Sequence, residues 1–211
     1  FDFKFSSPED VGTKSLARPL SDIAAMGGQP LALTISIAVP KNWSIASTEE
    51  FLEKFYRGAV EISRQTKAPI VGGDLSRADG GLIIDVAAIG ESRLNSSLWK
   101  RSGAKPGDIA LVTGPLGLAS YALHEFKSGR GEFLPRELAQ HHLRPTPRFD
   151  VSEKFARAPI HAAIDISDGL VRDARRLCEA SSVSLALDAG AVLKSTEILA
   201  ALKASRLNND E

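Results

Sequence analysis

The chain has 211 residues, enough to bury a core in one large or two small domains, and it balances 26 Lys and Arg against 26 Asp and Glu. This balance gives no global basic field that would attract nucleic acid or an anionic membrane surface. The single cysteine, Cys178, cannot form an intrachain disulfide. Because a chain without a disulfide fits a reducing compartment, we expect a cytoplasmic protein. Because of the charge balance, we expect no nucleic-acid or membrane partner.

Residues 1–92 are predicted to form helix, strand, helix, strand and strand. Apolar residues follow helical spacing through "SLARPLSDIAAM", and Pro19 predicts that this helix either kinks or begins at that residue. Alternation predicts a strand over 31–40, and Thr48 with two glutamates predicts a helix over 48–66. Two short apolar runs, 69–74 and 81–92, are typical of strands.

The polar stretch 92–108 contains Gly103, Pro106 and Gly107, and it is the best candidate for a domain boundary. We therefore expect domains at 1–97 and 98–211. In the second domain the patterns predict strands at 109–114, 161–166 and 183–189, and helices at 118–129, 135–143, 148–157 and 168–181. Alternating strands and helices in both halves favour an α/β or α+β fold in layers.

Two carboxylates mark the junction between a predicted strand and the helix that follows it in "AIDISDGL". Asp168 falls at the predicted helix start, where it could simply be an N-cap. That interpretation leaves out Asp165, which sits in mid-strand among small apolar residues. A charge in that position needs a partner, and a metal ion is one of the few good ones.

Two further aspartates have similar surroundings. Asp74 leaves an apolar strand after two glycines, although Gly-Gly-Asp alone is more often a turn. Asp22 stands in an otherwise apolar helical turn and could alternatively cap a helix beginning at Pro19. Four such aspartates favour a shared cation site over four separate caps, and Mg²⁺ is the cation that carboxylate and phosphate oxygens prefer. The chain has no P-loop, protein-kinase signature or Gly-x-Gly-x-x-Gly after a strand.

Several motifs in this order resemble the thiamine-monophosphate kinase family, which is related to aminoimidazole ribonucleotide synthetase and selenophosphate synthetase. They are "LSDIAAMGGQP", "FYRGAV", "VGGDLSR", "KRSGAKPGDIALVTGPLG", "RPTPR" and "AIDISDGLVRD". The resemblance implies a two-domain α+β fold, with an N-terminal mixed sheet that dimerises and an incomplete C-terminal α/β domain. It also implies magnesium-dependent transfer of the ATP γ-phosphoryl group to thiamine monophosphate, giving thiamine diphosphate.

The resemblance assigns roles to residues of matching motifs. The implied metal ligands are Asp22, Asp74, Asp165 and Asp168, of which the last three are also the implied catalytic residues. The implied nucleotide contacts are Tyr56, Gly73, Asp74, Arg101 and Ser167. Arg101 could instead be a solvated linker residue, and Tyr56 an ordinary helix-packing residue. A phosphate acceptor needs no strong general base, since the main demand is to neutralise two polyanions.

Two stretches expected from the resemblance have no counterpart here. An acidic segment with a histidine should precede Phe1, and a stretch that contacts thiamine should follow Glu211. We therefore expect a fragment of a longer chain. The alternatives are another member of the superfamily, such as a selenophosphate synthetase, and a non-catalytic nucleotide-binding protein of the same fold.

Overall fold

A computed structural model describes residues 1–93, 97–188, 190 and 192. They fall into two compact units. Unit 1 comprises the described residues of Phe1–Leu98 and Arg144–Ala158, and unit 2 those of Trp99–Leu143 and Pro159–Glu211. None of the helices in these ranges is long and apolar enough to cross a membrane.

Helix α1 of unit 1 spans Pro8–Ala25 and begins with a capping box. The Ser7 hydroxyl accepts a hydrogen bond from the Asp10 N–H (3.2 Å), and the Asp10 carboxylate accepts one from the Ser7 N–H (3.0 Å). Pro19 lies inside this helix, and Asp22 lies in its last turn. The interpretation of Asp22 as a cap after Pro19 is therefore wrong, because the helix already begins at Pro8.

The sheet of unit 1 is mixed, as predicted. Strands β1 (Gln29–Pro40), β2 (Ile70–Ala78) and β3 (Ile83–Glu91) are arranged in the order β2-β1-β3. Strand β1 is parallel to β2 and antiparallel to β3. Helix α2 (Ile45–Thr66) connects the parallel strands and begins after its N-cap Ser44, so its predicted start at Thr48 is late. The predicted order of elements over residues 1–92 is confirmed.

Helices α1 and α2 cover one face of this sheet and bury its core with it. The core is apolar and draws on both helices and all three strands. Its fully buried members include Leu16, Leu20, Leu33, Ile35 and Phe55. The two helices touch closely, since a Cβ on Gly58 would lie 2.0 Å from the Glu9 carbonyl oxygen. Only a glycine allows the backbones to approach to that distance.

The segment 144–158 returns to unit 1 and carries helix α5 (Phe149–Lys154). The Arg144 guanidinium donates hydrogen bonds to Asp10 (2.5 Å) and Glu61 (3.3 Å), and Phe149 packs against the core. Burial raises the pKa of Asp10, but hydrogen bonds from Arg144 and Ser7 outweigh it and leave that pKa below its usual value. Nothing in the local sequence pattern indicates this return.

Unit 2 contains helices α3 (Leu118–Lys127), α4 (Arg136–Leu143) and α6 (Leu170–Ser181), which the sequence predicted within a few residues. The predicted strands 109–114 and 161–166 do not form, and neither does the described part, 183–188, of the predicted strand 183–189, whose last residue lies outside the described residues. Ile109 and Leu111 are 84% and 70% exposed. Alternation predicts which face a strand would bury, but a strand forms only against a partner that supplies the ladder hydrogen bonds.

Candidate active site

Unit 1 contains one candidate site, a cavity of about 400 Å³ beside strand β2. Its lining is Ile37, Leu52, Tyr56, Ile70, Gly72, Gly73, Asp74 and Leu75. Apolar side chains from β1, α2 and β2 form most of this lining, which Asp74 also borders. Three predicted site residues, Tyr56, Gly73 and Asp74, thus share one pocket.

The two glycines before Asp74 differ in whether a side chain would fit at their positions. A Cβ on Gly73 would lie 1.9 Å from the carbonyl oxygen of Ile35, its partner on β1. A Cβ on Gly72 would meet no atom within 4 Å. Gly73 is therefore required by the packing of β2 against β1, whereas Gly72 leaves open space beside the pocket.

Tyr56 and Asp74 are both accessible from this pocket. Tyr56 lies on α2, is 37% exposed and meets the ring of Phe55 edge-on at 5.4 Å between centroids. Its ring therefore packs in the helix and also borders the pocket. Asp74 is exposed and stands opposite Ser36, which in turn pairs with Asp85 on β3. Since paired residues share a face, these three polar residues form a row across the sheet.

Asp22 is exposed in the last turn of α1, on a different element from the pocket residues. Asp85 was missed by the sequence analysis. The signal for it was present, because Asp85 is the one charge within the apolar run "GLIIDVAAIG".

Unit 2 contains the predicted site residues of the turn Ser167–Asp168–Gly169, which lies before helix α6. The helix begins at Leu170, and its N-cap is Gly169, with φ of 111° and no side-chain capping bond. The interpretation of Asp168 as an N-cap is therefore wrong. Its carboxylate instead lies 2.7 Å from the Arg176 guanidinium and 4.0 Å from that of Arg172. Ser167 is exposed and Asp165 is half-buried.

The turn before α6 is held by Asp173, which the sequence analysis missed. Its Oδ2 accepts hydrogen bonds from the backbone N–H groups of Ser167 (3.0 Å), Asp168 (2.9 Å) and Gly169 (3.1 Å). Its side chain is 0% exposed. An acidic residue in the first turn of a helix was the available signal, but such residues usually act only on the helix dipole.

Arg101 belongs to a loop that contacts both this region and the end of α6. The Ser181 hydroxyl donates a hydrogen bond to the Arg101 carbonyl (3.0 Å) and accepts one from the Gly103 N–H (3.2 Å). The loop also makes a backbone hydrogen bond with residues 161–166, in which the Ala163 N–H donates to the Lys100 carbonyl (2.8 Å). Arg101 itself is exposed, and its backbone runs beside the segment that leads to Asp165.

The same loop ends at Asp108, whose carboxylate lies 2.9 Å from His161 Nδ1. A backbone hydrogen bond from Lys105, followed by the contact with His161, holds the pKa of Asp108 below its usual value. Among the described residues, no three carboxylate, histidine or cysteine side chains meet as a ready-made metal site. The metal ligands therefore stay predictions.

Curated proteins similar to this chain are thiamine-monophosphate kinases. That of Pyrococcus abyssi is 40% identical over 184 residues, covering 87% of this chain and 56% of that protein. That of Bacillus subtilis is 36% identical over 192 residues, covering 88% of this chain and 57% of that protein. The chain thus spans little more than half the length of these relatives, and the resemblance identified from the motifs is confirmed.

Solved structures agree on the fold. The structure of thiamine monophosphate kinase from Aquifex aeolicus is 33% identical with a TM-score of 0.74, covering 84% of this chain and 58% of that chain. A structure of AaThiL complexed with AMPPCP and TMP is 33% identical with the same TM-score of 0.74, covering 85% of this chain and 56% of that chain. The predicted two-domain α+β fold is confirmed by these matches.

Family profiles account for nearly the whole sequence. Residues 1–92 match the profile "AIR synthase related protein, N-terminal domain", and residues 105–209 match "AIR synthase related protein, C-terminal domain". The chain therefore belongs to the AIR synthase related family.

Proposed function

We propose that this protein is a thiamine-monophosphate kinase, which transfers the γ-phosphoryl group of ATP to thiamine monophosphate. The observation that carries the proposal is 36–40% identity to thiamine-monophosphate kinases over 87–88% of this chain. The complex of a relative with AMPPCP, an ATP analogue, and TMP supports both substrates. The chain covers 56–57% of the length of these relatives, so the activity is proposed for the complete gene product.

The pocket of unit 1 suits a nucleotide. Apolar side chains and the ring of Tyr56 offer a surface for a flat base, while Asp74 lies at the same lining. Gly72 leaves room for a ligand to approach the backbone of β2. We propose that Tyr56, Gly73, Asp74, Arg101 and Ser167 contact the nucleotide or its cation.

The carboxylates suit Mg²⁺ by their chemistry. Asp22 and Asp74 are exposed, and Asp168 already holds a cation, the Arg176 guanidinium, at 2.7 Å. We propose Asp22, Asp74, Asp165 and Asp168 as the residues that would hold magnesium on the ATP phosphates. Bound magnesium would neutralise the charge of two polyanions as they approach each other.

In the proposed reaction, an oxygen of the acceptor monophosphate forms the new bond to the γ-phosphorus. The bond between that phosphorus and the β–γ bridging oxygen breaks, and ADP leaves with the electron pair. No side chain becomes phosphorylated, because the proposed site holds aspartates as cation ligands and needs no protein nucleophile. Trapping a phosphoenzyme during turnover would contradict this direct transfer.

The proposal includes a cytoplasmic location and a homodimer. The dimer is supported by the second face of the sheet, which α1 and α2 do not cover. Ile83 and Ile89 on that face are 58% and 55% exposed. Two exposed isoleucines on the same face of one strand are more typical of an interface than of a solvated sheet.

The deciding experiment incubates the complete gene product with ATP, Mg²⁺ and thiamine monophosphate and measures thiamine diphosphate by chromatography. We expect product in an amount equal to the ADP formed, and none when magnesium is chelated. ATP consumption that requires selenide would favour the selenophosphate synthetase alternative. Tight nucleotide binding without any turnover would favour a non-catalytic protein of this fold.

A further inference from the structure

The Ser181 hydroxyl, on the last residue of helix α6, is hydrogen-bonded to the loop of residues 100–108. It donates to the Arg101 carbonyl (3.0 Å) and accepts from the N–H groups of Gly103 and Ala104 (3.2 Å each). A serine hydroxyl has one proton to donate and two lone pairs that accept, so these three contacts use its full capacity. All four residues belong to unit 2. One side chain thus fixes the backbone of residues 101–104.

Loop 100–108 is also held at both of its ends. At one end, the Lys100 carbonyl accepts a hydrogen bond from the Ala163 N–H (2.8 Å). At the other end, the Asp108 carboxylate lies 2.9 Å from His161 Nδ1. Since these contacts do not involve Ser181, the loss of its hydroxyl leaves both ends in place. Ser181→Ala is therefore expected to loosen residues 101–104 without releasing the loop.

The side chain of Arg101 contrasts with its fixed backbone. It is exposed, and within the part of the chain that the structure describes its guanidinium forms no hydrogen bond or ion pair. The arginines of α6 differ, because Arg172, Arg175 and Arg176 each lie within 4.0 Å of a carboxylate. An arginine on an ordered backbone loses less conformational entropy when it binds, and its planar guanidinium can donate two hydrogen bonds to one phosphate. The loop therefore presents a cation that is available to an anionic ligand.

We propose that Ser181 is a positioning residue for nucleotide binding: its three hydrogen bonds to loop 100–108 hold the Arg101 guanidinium where it binds the phosphates of the nucleotide. This inference rests on the proposed function, in which Arg101 contacts the nucleotide, and it adds the residue on which that contact depends. Ser181 itself touches neither the nucleotide nor a metal in this role. Loss of the Ser181 hydroxyl therefore weakens nucleotide binding only while Arg101 is present.

The test is a double-mutant cycle in the complete gene product, with Ser181→Ala, Arg101→Met and the two changes together. The matched control is Ser128→Ala, because Ser128 is an exposed serine of unit 2 that directly follows the last residue of another helix, α3. Calorimetric titration measures the Kd of AMPPCP at saturating Mg²⁺. Hydrogen exchange without any ligand measures the protection of the N–H groups in loop 100–108, and circular dichroism establishes that each variant is folded.

In the wild-type protein we expect the N–H groups of Gly103 and Ala104 to be protected from exchange about tenfold or more relative to Gly107, an exposed residue of the same loop. In Ser181→Ala this protection is lost, and the Kd of AMPPCP rises about fivefold or more. In the Arg101→Met background the same serine change alters the Kd by less than about twofold, because the guanidinium that Ser181 positions is gone. Ser128→Ala stays within about twofold of the wild type.

Unprotected N–H groups of Gly103 and Ala104 in the wild-type protein would overturn the proposal even if Ser181→Ala did not fold. A smaller rise of the Kd in a folded Ser181→Ala would also overturn it, as would a matching rise in Ser128→Ala. An equal loss of affinity with and without Arg101 would show that Ser181 supports the fold and does not act through the guanidinium.

The proposed function fails separately. A protein that shows the expected coupling between Ser181 and Arg101 but forms no thiamine diphosphate contradicts the kinase activity and leaves the role of Ser181 intact. A protein that forms thiamine diphosphate but lacks this coupling contradicts the role of Ser181 alone.

Discussion

The carboxylate of Asp168 is held by two arginines and has no capping contact with the helix behind it. Its replacement by Asn therefore tests its chemistry with little disturbance of the fold. An exposed ion pair contributes about 0–1 kcal/mol, and the turn before α6 is held by Asp173 and not by Asp168. Folding and the role in the reaction are separable at this residue.

We expect Asp168→Asn to lower the rate of thiamine diphosphate formation about a hundredfold or more, a loss of a few kcal/mol of transition-state stabilisation. The midpoint of thermal unfolding should move by only about 1–2 °C, because the lost pair is exposed. Steady-state kinetics at saturating ATP measures the first effect, and calorimetry measures the second. Asp74→Asn and Asp165→Asn should lose activity to a similar extent. Full activity of Asp168→Asn at limiting Mg²⁺ would contradict a role for Asp168 as a metal ligand.

The lowered pKa of Asp10 predicts how the stability of unit 1 depends on pH. Its side chain is only 12% exposed, and its pKa is lowered in the folded state because the hydrogen bonds from Arg144 and Ser7 outweigh burial. A lowered folded-state pKa means that the stabilisation is fully present above the unfolded value, near 3.8, and is lost as the pH falls through the lower folded value.

We expect Asp10→Asn to lower the free energy of unfolding by about 1–3 kcal/mol at pH 7, since Arg144 loses its charged acceptor. The difference in the free energy of unfolding between Asp10→Asn and the wild type should shrink as the pH falls below about 4. In that range the Asp10 carboxylate of the unfolded wild-type chain takes up a proton, and the wild type loses the stabilisation that its charged carboxylate provides. Urea unfolding at pH 7, 5 and 3 provides the comparison. A difference that stays constant down to pH 3 would show that charge at Asp10 is not what matters.

Helices and strands with local signals were predictable, and those that depend on a distant partner were not. The apolar spacing of α2 and the alternation in β1 determine both elements within a few residues. The start of α1 at Pro8 depends on the capping box of Ser7 and Asp10, a polar signal that the apolar pattern does not contain. The interpretation of Asp168 as an N-cap was wrong because the carboxylate that accepts the N–H groups of this turn, that of Asp173, comes from inside the helix.

The pairing of β2 with β1 leads to a test that uses two adjacent glycines. A Cβ at position 73 would lie 1.9 Å from the Ile35 carbonyl oxygen, whereas one at position 72 has no neighbour within 4 Å. We expect Gly73→Ala to lower the free energy of unfolding by about 1–3 kcal/mol, the usual cost of overpacking that forces a backbone shift. Gly72→Ala should leave it unchanged within about 0.5 kcal/mol.

Chemical denaturation of both glycine variants measures this difference under one set of conditions. Equal stability losses would mean that the close approach of β2 to β1 does not limit the fold. A loss in Gly72→Ala alone would contradict the assigned register, which places Gly73 opposite Ile35.

The organisation of the whole chain was only partly accessible from sequence. Composition indicated the polar stretch 92–108, and the two family profiles end and begin at residues 92 and 105, within that stretch. The division into 1–97 and 98–211 stays a prediction. The return of 144–158 to unit 1 depends on Arg144 meeting Asp10 and Glu61, contacts that span 134 and 83 positions in sequence. No local pattern encodes such a pairing.

The proposed homodimer makes a prediction about the uncovered face of the sheet. Ile83 and Ile89 lie on β3 opposite Ala38 and Ala32 of β1, so both isoleucines project from the face away from the buried Ile35 and Ile37. If a second copy covers this face, a lysine there must leave water, and the charged residue on the same face of β3 is Asp85, opposite Ser36. Taking a charge out of water costs several kcal/mol, and an ion pair with Asp85 need not repay that cost, so the substitution is expected to dissociate a dimer at micromolar concentration.

We expect the complete gene product to sediment as a dimer at micromolar concentration and Ile83→Lys or Ile89→Lys to sediment as a monomer. The matched control is Ile45→Lys, because Ile45 is 70% exposed at the start of α2 and does not lie on the sheet. A lysine at position 45 stays solvated, so this variant should remain a dimer. Loss of the dimer in the control as well would indicate a general effect of added charge. A wild-type monomer, or dimers in all three variants, would rule out this face as the interface and leave Ile83 and Ile89 as solvent-exposed residues of an edge strand.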